Sequence, residues 1–265
     1  RRGYTLTYAS AITAASSIIG PIVPPSIILI FYGALMGTSV TALFLAGIVP
    51  GLILAAALLV LNAFYAMRDH VGERFRHFAV AVFAALGAGW FYAGLSPADV
   101  LLSLRRTAML SGSIFVIICA ASALGHLGAL QRIPDMISQT VIEWGLGPAD
   151  YMLAMNVIFL FAGMVLDIPV ALALLVPLLA PVAVEQGADP VHLGIVLCFN
   201  LCIGLVSPPM GGCLLVVSTV TGVNYWKLAR AVIPFVLVQI AVLALLIRIP
   251  ALSLALPHAF GLGGG

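Results

Sequence analysis

Two stretches of this chain decide its fold: Gly20-Pro-Ile-Val-Pro-Pro-Ser26 and Gly204-Leu-Val-Ser-Pro-Pro-Met210. Each places a glycine four residues before a proline pair, and apolar residues flank both. Proline removes a backbone donor and clashes with the preceding turn, so two prolines near a glycine break a helix. Both stretches therefore predict an interrupted helix, the alternative being a proline kink of the kind that membrane helices tolerate.

The two interruptions belong to an internal repeat. They align at an offset of 184 residues, the distance from Pro24 to Pro208. Without a gap, the same offset superposes further residue pairs, namely Gly3 on Gly187, Ile19 on Ile203, Gly20 on Gly204 and Pro50 on Pro234. Each copy contains an apolar half-helix, the interruption, a second apolar half, a polar turn and a long apolar segment. Broken helices at matching positions of two halves are typical of a transporter binding site.

Composition indicates a membrane as the main solvent. Hydrophobic residues make up 63% of the chain and charged residues 8%, with a mean hydropathy of +1.22, whereas soluble domains carry roughly 25% charged residues. Residues 42–67, 107–127 and 230–247 reach the length of about 20 apolar residues that a span requires. The basic residues cluster between apolar runs, which favours loops that orient a membrane protein over a nucleic-acid surface. The sequence predicts a polytopic all-α membrane bundle.

The predicted organisation has four parts. Residues 1–67 end the first repeat, with a broken helix at 5–36 and a span at 42–67. Residues 68–149 form a connecting scaffold region that contains spans and an interfacial helix at 128–147. Residues 150–257 form the second repeat, with a hairpin at 150–186, a broken helix at 190–222 and a span at 226–249. Residues 258–265 form a flexible tail.

The hairpin is expected to be re-entrant because Asp167-Ile-Pro169 divides it into two limbs of about 16 residues. Pro177 and Pro181 favour irregular backbone in the second limb. One crossing through residues 78–95 would place Arg105 and Arg106 outside and give both repeats the same direction. Inverted repeats therefore require that this segment is re-entrant, or that a crossing found in relatives is missing here.

The interruptions supply oxygen ligands suited to a hard cation such as sodium, from unwound carbonyls and from hydroxyl or amide side chains. The predicted ion-binding residues are Ser16, Ser17, Gly20, Pro24, Asn200, Gly204, Ser207, Pro208 and Asp167. The free N–H groups at the start of each second half-helix suit a carboxylate substrate. The predicted substrate-binding residues are Thr13, Pro25, Ser26, Pro209 and Gly211. The alternative is that each hydroxyl bonds back to its own helix.

Asp167 is the sole carboxylate in the apolar block 151–184, which makes it a cation ligand, a proton carrier or a helix cap. The four cysteines lie in apolar segments and are predicted to pack, so we expect no transition metal and no cofactor beyond the coupling ion. Gly47 and Gly51 are likewise predicted to pack. An intramembrane hydrolase would need a nucleophile beside a base, and no histidine or lysine is expected near a serine at membrane depth. We predict no enzyme.

The motifs resemble the large permease subunit of TRAP (tripartite ATP-independent periplasmic) transporters. In the first half the resemblance rests on residues 13–27 and on Phe44-Leu-Ala-Gly-Ile-Val-Pro-Gly51. In the second half it rests on Gly163-Met-Val-Leu-Asp167, Asp189-Pro-Val-His-Leu-Gly-Ile195 and residues 200–211.

The resemblance implies an elevator-type secondary transporter of an ion-transporter superfamily in the bacterial inner membrane. It would import organic acids from a periplasmic binding protein together with sodium, a proton remaining the other candidate, beside a small membrane subunit. One sodium site would join the first interruption to a preceding hairpin, and the other would join the 150–186 hairpin to the second interruption. The family's hairpin before Gly3 and a stretch between Arg68 and Phe78 have no counterpart, so a non-transporting scaffold or inactive permease fragment is the alternative.

Overall fold

The computed structural model describes residues 5–68, 130–143, 145 and 147–262, together with residues 105, 116, 119, 120, 123 and 126–128. Within these residues the regular elements are eleven helices and no strand. They are α1 Leu6–Ser16, α2 Ile19–Ile22, α3 Ile27–Met36, α4 Val40–Arg68, α5 Ile133–Glu143, α6 Pro148–Val165, α7 Ile168–Glu185, α8 Pro190–Val206, α9 Gly212–Thr221, α10 Tyr225–Arg248 and α11 Ala251–Ala259.

The prediction of a polytopic helical membrane protein is confirmed. By length and composition, four of the described helices can cross a membrane, namely α4, α6, α7 and α10. The bent pair Leu6–Ile22 and Ile27–Met36, 45° apart, would add a fifth span. The problem of direction raised by residues 78–95 lies outside the described residues.

The two predicted repeats have the same order of elements. One copy consists of α1, α3 and α4, with the short α2 between its two half-helices, and the other consists of α8, α9 and α10. The second half-helices α3 and α9 have ten residues each, and each ends at a left-handed glycine, Gly37 or Gly222. A left-handed residue stops a helix, and glycine adopts it without a steric penalty. We call residues 17–26 the first break and residues 207–211 the second break.

Helix starts follow local capping chemistry. Asp189 accepts hydrogen bonds from the Val191 and His192 amides at 2.8 and 3.0 Å at the start of α8. Asn224 accepts from the Trp226 amide at 3.0 Å at the start of α10. A side chain that accepts from the first free amides of a helix stabilises it by about 1 kcal/mol. These caps set where each helix begins after its loop.

The copies pack across one another. The first broken helix α1 lies mainly along α10, the long helix of the other copy, while α8 packs on both long helices and most extensively on α6. Helix α8 is the centre of the fold, since nearly all of its side chains are buried. The core is therefore shared between the copies.

The predicted hairpin corresponds to α6 and α7, which meet at Leu166 and Asp167. Both have 18 residues and can span a membrane by length and composition, so the re-entrant hairpin stays a prediction. The expected irregularity at Pro177 and Pro181 is wrong, because α7 runs through both prolines. Membrane helices tolerate internal proline where neighbouring groups take up the freed carbonyls.

Candidate functional site

The first break turns the chain between α1 and α3. Helix α1 ends at Ser16, the short helix α2 follows, and the backbone is extended again at Val23 before α3 begins. Ser26 is buried, and its hydroxyl donates to the Pro21 carbonyl and accepts from the Leu29 amide at 3.2 Å. Both hydrogen-bonding roles of Ser26 thus hold the break together. Its predicted role in substrate binding stays a prediction.

The second break is also held by its own contacts. The bond between Pro208 and Pro209 is cis, as is that between Pro24 and Pro25. Gly211 is buried with φ +24°, and a Cβ there would lie 2.8 Å from the Ser207 carbonyl oxygen. Tyr225 donates its hydroxyl to the Pro209 carbonyl at 2.8 Å. The close Ser207 carbonyl leaves room only for glycine at position 211. The Pro209 carbonyl is hydrogen-bonded to Tyr225 of α10.

The second break ends one residue later than a gapless alignment predicts. The prolines keep the offset of 184 residues. The following helices start at Ile27 and Gly212, an offset of 212 − 27 = 185, and α4 and α10 start at Val40 and Tyr225, again 185 apart. The glycine pair at 211 and 212 accommodates the extra residue, because glycine allows conformations closed to other residues.

The predicted hydroxyl ligands bond back to their own helices. Thr13 donates to the Ala9 carbonyl at 2.9 Å, Ser16 to Ile12 at 2.8 Å, Ser17 to Ala14 at 2.7 Å and Ser207 to Ile203 at 2.8 Å. This arrangement is common in membrane helices. It consumes the single hydroxyl proton but leaves the oxygen lone pairs able to accept. Ion binding at these residues stays a prediction.

The first break contacts the helix that follows the second break. The Ser17 hydroxyl lies 3.6 Å from the Cys213 sulfur, which joins the first break to the first turn of α9. The first break also rests on α4, because a Cβ at Gly47 would lie 2.7 Å from the Ile22 carbonyl oxygen. Gly47 is thus a packing glycine, and the breaks belong to one region.

Two amide side chains, those of Gln239 and Asn200, are fully buried. The sequence did not predict a role for Gln239. Gln239 on α10 donates to the Ala15 carbonyl at 2.9 Å at the end of α1, and Asn200 donates to the Asn156 carbonyl at 2.6 Å. Both amides are 0% exposed, and the oxygen of each has no hydrogen-bond partner. A lone amide within an apolar stretch is the signal that could have identified Gln239 and Asn156.

Gly204 brings α6 and α8 into backbone contact. A Cβ at Gly204 would lie 2.7 Å from the Gly163 Cα, and one at Gly163 would lie 2.9 Å from the Leu201 carbonyl oxygen. The structure therefore gives Gly204 a packing role beside its predicted role at the ion site. Gly20, its counterpart in the first copy, is exposed, with open space around its Cβ position.

Asp167 lies at the tip between α6 and α7. It is exposed and occupies the N-cap position of α7, but its side chain makes no capping hydrogen bond. Of the three roles considered, capping is absent, while the cation ligand and the proton carrier stay predictions. Among the residues that the structure describes, no three His, Cys, Asp or Glu side chains come together as a metal cluster.

One histidine and one serine come together at the start of α8. His192 Nδ1 lies 2.7 Å from Ser253 Oγ, and both side chains are buried. Ser253 also donates to the Pro250 carbonyl at 2.9 Å, which leaves the histidine as donor in the pair. The two residues are 61 apart in sequence, so no local pattern could show the contact. The pair ties α11 to the start of α8.

The chain matches the family model for the "Tripartite ATP-independent periplasmic transporter, DctM component" over residues 1–78 and 76–252. The C4-dicarboxylate TRAP transporter large permease protein of Pseudomonas aeruginosa is 30% identical over 299 residues, covering 99% of this chain and 70% of that protein. The sialic acid TRAP transporter large permease protein of Vibrio cholerae is 32% identical over 290 residues, covering 96% and 68%. The 2,3-diketo-L-gulonate TRAP transporter large permease protein of Escherichia coli is 28% identical over 289 residues, covering 94% and 67%.

The first alignment is longer than the 265-residue chain, and the two matched pieces of the family model meet at residues 76–78. That junction lies between Arg68 and Phe78, where we expected a stretch of the family to have no counterpart in this chain. The same family is indicated by the matched motifs, by the two breaks and by the apolar helices. This chain belongs to the TRAP transporter large permease family, whose members are integral proteins of the inner membrane.

Proposed function

We propose that this chain is the membrane permease part of a sodium-coupled secondary transporter that imports organic acids. A periplasmic binding protein would deliver the substrate, and a small membrane subunit would brace the permease. Three relatives are named for C4-dicarboxylate, sialic acid and 2,3-diketo-L-gulonate, which are organic acids. These names support an organic acid as the class of substrate, and selection among acids would lie largely with the binding protein.

The observation that carries sodium coupling is the unpartnered oxygen of Asn200, which lies on α8 and leads along the same helix to the second break. A buried carbonyl oxygen without a donor costs about 1–3 kcal/mol, and a bound cation would offset that cost. Further along α8, the Gly204 carbonyl accepts from the Ser207 amide at 3.0 Å and keeps a second lone pair that a cation could use. Sodium prefers several neutral oxygen ligands of this kind.

The first break offers a second set of oxygens. Ser16 and Ser17 each donate to a carbonyl of α1 and keep oxygen lone pairs that can still accept. The start of α3 presents free amides to a substrate carboxylate, since helix N-termini carry partial positive charge. We propose that one anion and its coupling ions share the space between the breaks.

The test is uptake of labelled succinate into proteoliposomes that contain the full-length permease with its membrane and periplasmic partners. We expect uptake to require an inward sodium gradient and to fall at least tenfold in Ser16→Ala and Asn200→Ala. Thr140→Ala on α5 is the matched control, since Thr140 also bonds back to its own helix at 2.9 Å but lies outside both breaks. It should leave uptake unchanged.

Other outcomes separate the alternatives. Uptake driven by a proton gradient in the absence of sodium would overturn sodium coupling but keep transport. Correctly inserted protein that moves no acid under either gradient would favour a non-transporting scaffold.

A further inference from the structure

Asn200 presents its amide in one orientation. Its Nδ2 atom lies 2.6 Å from the Asn156 carbonyl oxygen and 2.9 Å from Asn156 Oδ1. Both neighbours are acceptors, so turning the amide over would set an oxygen against two oxygens. The amide nitrogen therefore faces Asn156, and Oδ1 faces away from it.

Asn156 is itself held in place. Its Nδ2 donates to the Met152 carbonyl at 2.8 Å, one turn earlier on α6. This hydrogen bond uses the nitrogen of Asn156 and turns its Oδ1 toward α8. Asn200 thus donates to Asn156, and Asn156 donates to the α6 backbone. The free end of this series is Asn200 Oδ1, which accepts no hydrogen bond.

The backbones that carry the two amides cannot separate easily. One turn further along α8, Gly204 touches Gly163 of α6 so closely that a Cβ would lie 2.7 Å from the Gly163 Cα. Helices α6 and α8 make the most extensive contact in the described structure. The position of Asn200 is therefore set by packing, and its orientation by Asn156.

We propose that Asn156 is a positioning residue that aims Asn200 Oδ1 at the transported monovalent cation. This inference rests on the proposed function. Asn156 does not touch the ion, because its own oxygen is occupied by Asn200 and its nitrogen by the backbone. A polarised amide chain strengthens the negative end that it presents, since hydrogen bonds in series reinforce each other at low dielectric.

The test measures the sodium concentration that gives half-maximal succinate uptake by the full-length transporter in proteoliposomes. Asn156→Ala should raise this concentration about tenfold, the factor that corresponds to 1.4 kcal/mol, with little change in the maximal rate at saturating sodium. Asn156→Asp keeps an acceptor for Asn200 and should retain most of the sodium affinity. Val157→Ala, an exposed neighbour on α6, should behave as wild type.

A double substitution separates positioning from packing. In an Asn200→Ala background, Asn156→Ala should cause no further rise in the half-maximal sodium concentration. An additive rise would overturn the proposal, and so would an unchanged value in Asn156→Ala alone. If Asn156→Ala does not fold, loss of sodium affinity in Asn156→Asp as large as in Asn200→Ala would also overturn it. Failure of the proposed function is distinct, since wild-type uptake would then not depend on sodium.

Discussion

Gly20 and Gly204 occupy matching places in the two copies, yet their surroundings differ. Position 204 faces the backbone of α6, whereas position 20 faces open space. Side chains can rotate away from an added methyl group, but main-chain atoms cannot move without shifting a helix. The same substitution should therefore have opposite consequences in the two copies.

We predict that Gly204→Ala destabilises the protein, because the methyl group would lie 2.6 Å from the Gly163 carbonyl carbon. Forced overpacking of this kind costs roughly 1–3 kcal/mol. Gly20→Ala should be neutral or slightly stabilising, since alanine favours a helix over glycine by up to about 1 kcal/mol. The measurement is the thermal unfolding of each purified variant in detergent. Equal unfolding temperatures would contradict the close α6–α8 contact.

Local residue chemistry was predictable where it depends on neighbours in sequence. The possibility that Thr13 and Ser16 bond back to their own helices was foreseen from residue type. The partners of Asn200 and Gln239 were not, because they lie 44 and 224 residues away in the chain. The sequence pattern identifies a buried polar residue, but tertiary packing determines its hydrogen-bond partner.

At the scale of elements, the end of α1 depends on a helix from the other copy. The last carbonyls of a helix lack intrahelical partners, and they need a cap, water or another chain segment. Here Gln239 of α10 donates to the Ala15 carbonyl at 2.9 Å. The first break therefore keeps its shape partly through α10.

We predict that Gln239→Leu, which keeps a similar volume, loosens the end of α1 because the donor to Ala15 is lost, while global stability changes little because the unpartnered Gln239 oxygen is removed as well. Ile240→Ala is the control, since this neighbour is 37% exposed. The measurement is hydrogen exchange of the amides in residues 13–20 together with thermal unfolding. Faster exchange there, with little change in α5, is the expected result. Unchanged exchange would show that Gln239 does not hold the end of α1.

The elements themselves were largely predictable, because glycine and proline mark their ends. The described helices α1 to α3 lie within the predicted range 5–36, and α8 and α9 lie within 190–222. The extra residue after Pro209 was not predictable, since Met210, Gly211 and Gly212 suit several loop lengths. The continuity of α7 through Pro177 and Pro181 also depends on neighbouring helices, which a single sequence does not show.

At the scale of the whole molecule, the contact between Ser17 and Cys213 tests whether the breaks face each other. Their side-chain atoms lie 3.6 Å apart, so a cysteine at position 17 would bring a second thiol beside Cys213. We predict that Ser17→Cys forms a disulfide with Cys213 under mild oxidation. Mass spectrometry of the digested protein would detect the linked peptides.

The same substitution in a Cys213→Ser background should give no linked peptide. If Ser17→Cys remains reduced while both thiols react with a small maleimide, the breaks do not approach each other in the membrane. A linked protein that no longer transports would indicate that the two copies move against each other at this contact.

The hydrogen bond between Gln239 and Ala15 also constrains the order in which the protein can be synthesised and assembled. The two residues are 224 apart in the chain, and ribosomes add about 5–20 residues per second, so α1 waits roughly 11–45 s for its partner. During that interval the end of α1 and the buried Ser10 lie in lipid or against the insertion machinery without α10. Assembly of the first break therefore cannot finish until α10 has been synthesised.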